Sequence, residues 1–198
     1  MLIIICSIIV AFLLGAIPTG YLITRKIAGI DIRTKGSGNI GSTNVKRVLG
    51  TKISIVTQSI DVLKGLVPMV LAMYLSRNVK LPVSDNIYFS IIALVTILGH
   101  DYTPFLKFNG GKGVNTTVGA FFLIAPIATL TGVAAYFILG LFIKVVSIRS
   151  MALGMVIPIM CLLTKLPLPI IISATMACGL MVYRHKDNLV RLVRKEEV

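Results

Sequence analysis

The sequence has little of what metalloenzymes, disulfide-bonded secreted proteins and RNA-binding proteins depend on. It contains no tryptophan, three cysteines, two histidines and only seven acidic residues among 198. Two distant histidines and scattered carboxylates cannot form a metal coordination shell, so we expect neither a metal ion nor another cofactor. The cysteines lie in apolar stretches with no CxxC or paired spacing, which is typical of buried small side chains.

Charged residues are scarce and unevenly distributed. They make up 14% of the chain, against about one quarter in a soluble domain, and the mean hydropathy is +0.94. A chain of this length that is 56% hydrophobic cannot bury so much apolar surface in a water-soluble core, which indicates an integral membrane protein. The net charge of +13 could suggest nucleic acid. The basic residues alternate with apolar segments, however, so we expect membrane lipid and no nucleic acid as a partner.

Apolar segments follow one another along the whole chain. They predict an all-α integral membrane protein with about seven transmembrane helices in a single polytopic domain, residues 1–198. Several segments are shorter than the about 20 residues that a full crossing needs, so some helices should be short or tilted. The first lacks the features of a removable signal peptide. The segments are Leu2–Thr24, Ile53–Ser76, Ile87–Tyr102, Val114–Ala125, Ile127–Ile143, Ser150–Leu163 and Leu168–Tyr183.

The basic residues orient these helices. Only Arg77, Lys80 and Lys165 fall in the connections on one side of the membrane. By the positive-inside rule, the N-terminus lies outside, the number of crossings is odd, and the C-terminus and every glycine-rich loop are cytoplasmic. The basic residues on the predicted cytoplasmic side are Arg25, Lys26, Arg33, Lys35, Lys46, Arg47, Lys52, Lys107, Lys112, Lys144, Arg149, Arg184, Lys186, Arg191, Arg194 and Lys195.

Two glycine-rich segments stand at the ends of apolar stretches. Residues 36–44 read Gly-Ser-Gly-Asn-Ile-Gly-Ser-Thr-Asn, and residues 110–114 read Gly-Gly-Lys-Gly-Val. Glycine allows backbone N–H groups to converge on an anion, while hydroxyl, amide and cationic side chains add donors. The pattern predicts two phosphate-binding loops at a membrane surface.

Three ionisable residues lie inside or at the end of apolar segments. Asp61 and Lys64 are three residues apart in the second segment, where an unpaired charge is costly, so we expect them to pair with each other or with a loop. Their expected role is structural. For His100, at the end of the third segment, a structural role and a direct role in the site are both open.

Four segments together resemble the signatures of the bacterial acyl-phosphate:glycerol-3-phosphate acyltransferases, the PlsY family. They occur in order and cover essentially the whole chain, and the sequence Asp61–Gly65 in the second apolar segment also fits. The four segments are residues 36–47, residues 98–100 with 108–114, residues 146–147, and residues 183–189.

The resemblance implies a reaction at the cytoplasmic (inner) membrane of a bacterium. The 1-hydroxyl of glycerol 3-phosphate attacks the carbonyl of a fatty acyl phosphate, which gives lysophosphatidic acid and inorganic phosphate. An acyl phosphate has a good leaving group, so positioning of the two substrates could supply much of the rate. The enzyme that produces the acyl phosphate is a candidate partner.

The resemblance also implies roles for individual residues. Ser37, with nearby backbone amides, is expected to bind the phosphoryl group of the acyl phosphate, and Arg47 and Lys112 the phosphate of glycerol 3-phosphate. Ser37, His185 and Asn188 form the expected catalytic set. We favour transfer of the hydroxyl proton to a phosphate oxygen, with His185 as a general base as the alternative. The expected substrate-binding residues are Gly36, Gly38, Asn39, Asn44, Arg47, Gly110, Gly111, Lys112, Gly113 and Ser147.

The chain departs from the family pattern at three positions near His100. Thr103 stands where the family usually has proline, Asn109 stands where it usually has lysine, and Asp101 adds an acidic residue. These changes affect the shape of the second loop but leave residues 110–113 intact.

Two other classes of function also fit parts of the sequence. A small organophosphate or anion transporter would use basic residues, glycine-interrupted helices and an intramembrane ion pair. The polar motifs, however, lie on one side of the membrane rather than at its midplane. A structural membrane subunit would leave the two glycine-rich segments unexplained.

Overall fold

The computed structural model describes residues 2–195, and its regular secondary structure in that range is helical, which confirms the predicted fold class. The predicted domain, residues 1–198, extends past this range, since residue 1 and residues 196–198 lie outside the described residues. Short 3₁₀ turns occupy Ile32–Thr34 and Pro104–Leu106. The α-helices of the described range are α1 (Leu2–Ala16), α2 (Thr19–Ala28), α3 (Ser42–Leu49), α4 (Thr51–Asn78), α5 (Asp85–Asp101), α6 (Val114–Phe122), α7 (Pro126–Leu139), α8 (Val146–Leu163), α9 (Leu168–Arg184) and α10 (Lys186–Val193).

All seven predicted apolar segments form helices, but these helices differ in length. In the described range, four stretches are long and apolar enough to cross a membrane: Leu2–Ala28, Thr51–Asn78, Asp85–Leu106 and Val146–Leu163. Helices α9 and α10, bent by 50°, form a fifth if counted together. Helices α6 and α7 have only 9 and 14 residues. Nine residues rise about 14 Å, less than half of the about 30 Å hydrocarbon layer. The expected seven crossings are therefore four or five full-length spans with two short helices.

The first apolar segment is broken in two at Pro18. Proline lacks an N–H and its ring clashes with the preceding helical turn, so α1 ends at Ala16 and α2 begins at Thr19. Two side chains from distant parts of the chain bind the carbonyl groups at the break. The Thr103 hydroxyl donates to the Ala16 carbonyl (2.6 Å), and the Lys64 ammonium donates to the Ile17 carbonyl (2.9 Å). Within a membrane such partners are needed because water is absent.

Glycines allow neighbouring helices to approach closely. A Cβ atom on Gly65 of α4 would lie 2.2 Å from the Thr116 carbonyl oxygen of α6, and one on Gly119 of α6 would lie 2.0 Å from the Val62 carbonyl oxygen. Close packing through small residues is a general way for membrane helices to associate, since lipid gives them little hydrophobic reason to do so. Helices α4 and α6 therefore form a tight pair beneath the second glycine-rich loop.

The core lies between the helices, and a second cluster lies under the first glycine-rich loop. Tyr88, Met69 and Phe121 are fully buried in the main core. Large apolar side chains on the helices, such as Ile159 of α8 and Ile172 of α9, are exposed on the outside, as a lipid-facing surface requires. The smaller cluster contains Ile32, Ile40, Val45 and Leu106, and it packs the first loop against the end of the helix bundle.

Candidate active site

The two glycine-rich loops meet at one cavity of about 440 Å³, which also receives residues from α3, α4, α5, α6, α7, α8 and α10. The sequence predicted two separate phosphate-binding loops, and the structure brings both to the same wall. Nine of the predicted site residues line this cavity, here called the inner cavity. They are Ser37, Asn39, Asn44, Arg47, Lys112, Gly113, Ser147, His185 and Asn188.

The first loop is folded around the side chain of Asn44, which is buried. Its Oδ1 atom accepts a hydrogen bond from the Ser37 backbone N–H (2.9 Å). Its Nδ2 group donates to the carbonyl oxygens of Lys35 (2.9 Å) and Asn39 (2.8 Å). Gly36 has a φ of +56°, and a Cβ there would lie 2.1 Å from Asn44 Oδ1. Asn44 and Gly36 therefore determine the loop conformation that presents Ser37 to the cavity.

The second loop is held from below by the end of α5. The backbone N–H groups of Gly110 and Gly111 donate to the Asp101 carbonyl (3.2 Å) and the His100 carbonyl (3.0 Å). The buried His100 ring lies directly against Gly111, where an added Cβ would be 2.0 Å from Nε2. His100 also lines the inner cavity. The structure gives His100 a clear packing role in the loop.

Arg184 holds the same loop from above. Its Nε donates to the Gly111 carbonyl (3.0 Å) and its Nη2 donates to the Gly110 carbonyl (3.2 Å). The guanidinium also stacks on the Tyr102 ring, 5.0 Å from its centroid. The loop that carries Lys112 is thus fixed between α5 and the end of α9.

Helices α9 and α10 deliver two predicted residues at their bend. The Lys112 ammonium donates to the Asn188 side-chain carbonyl, which ties the second loop to α10. The His185 ring is buried, and its Nδ1–H donates to the Met181 carbonyl (2.8 Å). A carbonyl can only accept, so this bond places the ring proton on Nδ1 and leaves Nε2 as an acceptor when the imidazole is neutral.

Ser147 reaches the cavity from a helix that begins earlier than predicted. The sequence suggested that the sixth apolar segment begins at Ser150, whereas α8 begins at Val146. Ser147 therefore lies in the first turn of α8, where it is buried. Its hydroxyl oxygen has no hydrogen-bond partner among the described residues. The hydroxyl is therefore positioned by the helix as a hydrogen-bonding group for a ligand in the cavity.

Four predicted residues lie outside the inner cavity. Gly38 and Gly110 line a neighbouring cavity instead. Gly36 and Gly111 line neither cavity, because they pack against Asn44 and His100. Their role in the structure is to shape the two loops.

The inner cavity also receives polar residues that were not predicted, and three of them have long or amide side chains. Gln58 projects from α4, Asn115 from α6 and Arg149 from α8. Asn115 Nδ2 donates to the Ser42 hydroxyl (3.2 Å), which links α6 to the first loop. The Arg149 guanidinium stacks on the Tyr136 ring, 4.9 Å from its centroid. Asn115 follows the second glycine-rich segment closely enough for sequence analysis to have considered it, while Gln58 and Arg149 carry no local motif.

Basic side chains dominate the charge of the inner cavity. Lys46, Arg47, Lys112 and Arg149 line it, and Asp61 is the one carboxylate among the described residues of its lining. Asp61 forms the predicted ion pair with Lys64, at 2.9 Å, so its charge is largely compensated. The remaining positive charge and the hydroxyl and amide donors suit phosphate groups. Residues 2–195 contain no cluster of three or more histidine, cysteine or acidic side chains that could hold a metal ion.

The opposite wall of the cavity is apolar. Val62, Val118 and Leu153 line it from α4, α6 and α8. Ile55 of α4 and Phe137 of α7 also line it, although they are 57% and 63% exposed. Their exposure indicates that the cavity opens sideways between these two helices. A molecule with an anionic head and an aliphatic tail fits this division.

The fold and the cavity define a polytopic helical membrane protein whose one described site combines cationic and apolar lining residues. Comparisons with known proteins agree with this class. The family model described as glycerol-3-phosphate acyltransferase matches residues 5–195. A glycerol-3-phosphate acyltransferase of Clostridium acetobutylicum is 62% identical over 197 residues and 100% of each chain. One of Geotalea daltonii is 40% identical over 93% of this chain and 91% of its own.

Two solved structures have the same fold. Both are crystal structures of PlsY, an integral membrane glycerol 3-phosphate acyltransferase, in its glycerol 3-phosphate form and its lysophosphatidic acid form. Each is 31% identical to this chain, and each match covers 98% of this chain and 94% of the PlsY chain. The TM-scores are 0.89 for the glycerol 3-phosphate form and 0.84 for the lysophosphatidic acid form. The chain belongs to the glycerol-3-phosphate acyltransferase family. This confirms the predicted acyltransferase and multi-pass membrane protein, and it favours the enzyme over the transporter.

Proposed function

We propose that this enzyme transfers an acyl group from a fatty acyl phosphate to the 1-hydroxyl of glycerol 3-phosphate. The hydroxyl oxygen forms a bond to the acyl carbonyl carbon, and the bond from that carbon to the phosphate oxygen breaks. Inorganic phosphate leaves with the electron pair, and lysophosphatidic acid forms. The observation that supports this proposal best is one cavity with a cationic, donor-rich end and an apolar wall that opens sideways.

The donor and the acceptor use different parts of the polar end. Ser37 and the backbone of the first loop bind the phosphoryl group of the acyl phosphate, since Asn44 already orients that backbone. Arg47 and Lys112 bind the phosphate of glycerol 3-phosphate through charge-assisted hydrogen bonds. The Ser147 hydroxyl, the His185 Nε2 atom and the Asn188 amide orient its glycerol part.

Catalysis rests on position and charge. The groups that hold two anions and one hydroxyl in attack geometry convert a bimolecular reaction into an effectively unimolecular one. Cationic side chains and backbone N–H groups stabilise the negative charge on the carbonyl oxygen and the leaving phosphate. A phosphate oxygen takes the hydroxyl proton, while His185, held by Met181, orients the acceptor.

The enzyme lies in the bacterial inner membrane with its N-terminus outside and its active site facing the cytoplasm. This orientation follows from the concentration of basic residues in the loops that form the cavity. It gives both loops access to water-soluble glycerol 3-phosphate while the acyl chain stays in lipid. The enzyme that makes the acyl phosphate is a partner that would deliver this donor at the same surface.

A purified enzyme tests the reaction directly. The protein in detergent is supplied with radiolabelled glycerol 3-phosphate and, in separate reactions, palmitoyl phosphate, palmitoyl-CoA or palmitoyl acyl carrier protein. We expect labelled lysophosphatidic acid with the acyl phosphate alone, and one inorganic phosphate released per product. Comparable turnover with palmitoyl-CoA would contradict the proposed donor, because the cavity would then have to accept a much larger head group.

A further inference from the structure

A second cavity of about 330 Å³ lies beside the first. The two share a wall formed by Ser37, Asn39, Lys112 and Asn188. We call the second one the outer cavity. Its other lining residues are Arg33, Gly38, Asn109, Gly110, Tyr183, Arg184, Lys186, Asp187 and Arg191.

The outer cavity is strongly cationic and almost wholly polar. Besides Lys112, it is lined by Arg33, Arg184, Lys186 and Arg191, and Asp187 is the one carboxylate among its described lining residues. No aliphatic side chain of the described residues lines it. An acyl chain therefore has no apolar surface there, whereas a small hydrophilic anion meets cations from several directions.

Several of these cations are held in place by other groups. Arg184 is fixed by two carbonyls of the second loop. Arg33 pairs with Asp31 at 2.7 Å, and their side-chain hydrogen bond lowers the pKa of the Asp31 carboxyl. The Lys186 ammonium lies 4.9 Å from the centre of the Tyr183 ring. A site whose donors are already positioned loses less entropy when an anion binds.

We propose that the outer cavity is a second anion site, which binds the water-soluble phosphates of the reaction on the far side of the shared wall. Glycerol 3-phosphate on entry and inorganic phosphate on exit have the same recognition chemistry. This inference rests on the proposed function, because Ser37 and Lys112 form the shared wall at the point assigned to the reacting phosphates. The acyl phosphate stays in the inner cavity, where the apolar wall is.

Steady-state kinetics on charge-neutralised variants test this site. Arg191→Gln and Lys186→Gln each remove one cation from the outer cavity. Arg194→Gln is the matched control, because Arg194 is exposed, follows the same short helix and lines neither cavity. The measured quantities are the KM of glycerol 3-phosphate, the KM of acyl phosphate, and the inhibition constant of inorganic phosphate. Each variant is first checked for parental elution in size-exclusion chromatography.

We expect Arg191→Gln and Lys186→Gln each to weaken the binding of glycerol 3-phosphate or of inorganic phosphate by roughly tenfold. This is the usual effect of losing one charge-assisted hydrogen bond. A rise in the KM of glycerol 3-phosphate identifies the entering substrate as the ligand, and a rise in the inhibition constant identifies the leaving phosphate. The KM of acyl phosphate should change by less than twofold, as should all three constants in Arg194→Gln.

Unchanged constants for both small phosphates in both variants would overturn the inference. So would an equal rise in the KM of acyl phosphate, since the outer cavity would then be part of the donor site. Calorimetric titration with inorganic phosphate separates this inference from the proposed function. If the parent protein fails to transfer an acyl group, the proposed function fails, but phosphate binding that weakens in Arg191→Gln and not in Arg194→Gln still supports the anion site.

Discussion

The Lys64 ammonium lies 2.9 Å from the Asp61 carboxylate and 2.9 Å from the carbonyl oxygen of Ile17. The two side chains are one turn apart on α4, and only 5% and 3% of their surfaces are exposed. This single cation therefore serves the broken end of α1 and compensates a carboxylate at the wall of the active site. The ion pair joins the bend of the first span to the floor of the cavity.

Removal of Lys64 should strongly destabilise the protein. In Lys64→Met the Asp61 carboxylate is left without its partner in a membrane-spanning helix, which costs about 3–5 kcal/mol in comparable buried pairs. The chain has no tryptophan, so unfolding on heating is followed by the reaction of a thiol dye with the buried Cys161, in a background where the exposed Cys6 and the partly exposed Cys178 are replaced by alanine. Asp61→Asn combined with Lys64→Met should recover a large part of the loss. If Lys64→Met alone unfolds at the same temperature as the parent protein, the ion pair has no structural role.

Helix packing predicts a contrast between two glycines. Alanine at Gly119 would place its Cβ 2.0 Å from the Val62 carbonyl oxygen of α4, while a Cβ at Gly179 meets nothing within 4 Å. Gly119→Ala should separate α4 from α6 and lower stability by about 1–3 kcal/mol, as overpacking does. Gly179→Ala should leave stability unchanged. The same thiol-labelling melt measures both variants, and equal unfolding temperatures would contradict the close contact.

Asn44→Ala should impair catalysis through the shape of the first loop. The substitution removes the hydrogen bonds to the Ser37 N–H and to the Lys35 and Asn39 carbonyls. We expect kcat/KM for acyl phosphate to fall roughly a hundredfold, which corresponds to about 2.7 kcal/mol. Asn78→Ala is the control, since the Asn78 side chain donates to the Tyr74 carbonyl (2.7 Å) at the far end of α4, away from the first loop. Equal activities of the two variants would show that the hydrogen bonds of Asn44 do not contribute to catalysis.

Lys112→Ala and Ser37→Ala should affect different substrates. Lys112→Ala removes a charge-assisted contact to phosphate, so the KM of glycerol 3-phosphate should rise roughly ten- to a hundredfold with kcat little changed. Ser37→Ala should raise the KM of acyl phosphate or lower kcat. Both variants should fold, because the two side chains lie in loops. If each variant raises the KM of both substrates equally, the two residues bind one common phosphate position in the inner cavity.

A reporter fusion tests the orientation in the membrane. A reporter that is active only outside the cytoplasm should be active when fused after Val83, between α4 and α5, and silent when fused after Lys195. The physical basis is the excess of basic residues in the loops that form the active site. The reverse pattern would place both glycine-rich loops on the external face, away from glycerol 3-phosphate.

Hydropathy predicted the helices well because a membrane span must satisfy its own backbone and be apolar throughout. It did not predict where they end. Helix α8 begins at Val146, four residues before the predicted apolar segment, because a helix can include polar residues that end a hydropathy run. The break at Pro18 has a visible signal, the proline itself, which the apolar run around it concealed.

The sequence motifs identified residues on several elements of the site, and the structure added cavity residues that belong to no motif. Residues in loops with a motif, such as Ser37 and Lys112, could be named from sequence. The bonds of Asn44 could not, because they depend on how residues 32–44 fold around its side chain. From sequence, Arg149 was considered only as one of the basic residues that indicate the orientation in the membrane. Its place in the cavity depends on the rotation of α8, which a sequence does not specify.

The sideways opening between Ile55 and Phe137 has a consequence for which lipids this enzyme would make. A closed tunnel would select donors by the length of their acyl chain, since each added methylene would have to fit inside it or clash with its end. An open flank leaves the far end of the tail among the bilayer's own chains, so the site holds the head and the first carbons only. Under the proposed function, the fatty acids of the membrane would then be set upstream, by whatever supplies the donor, and this acyltransferase would pass that composition on unchanged.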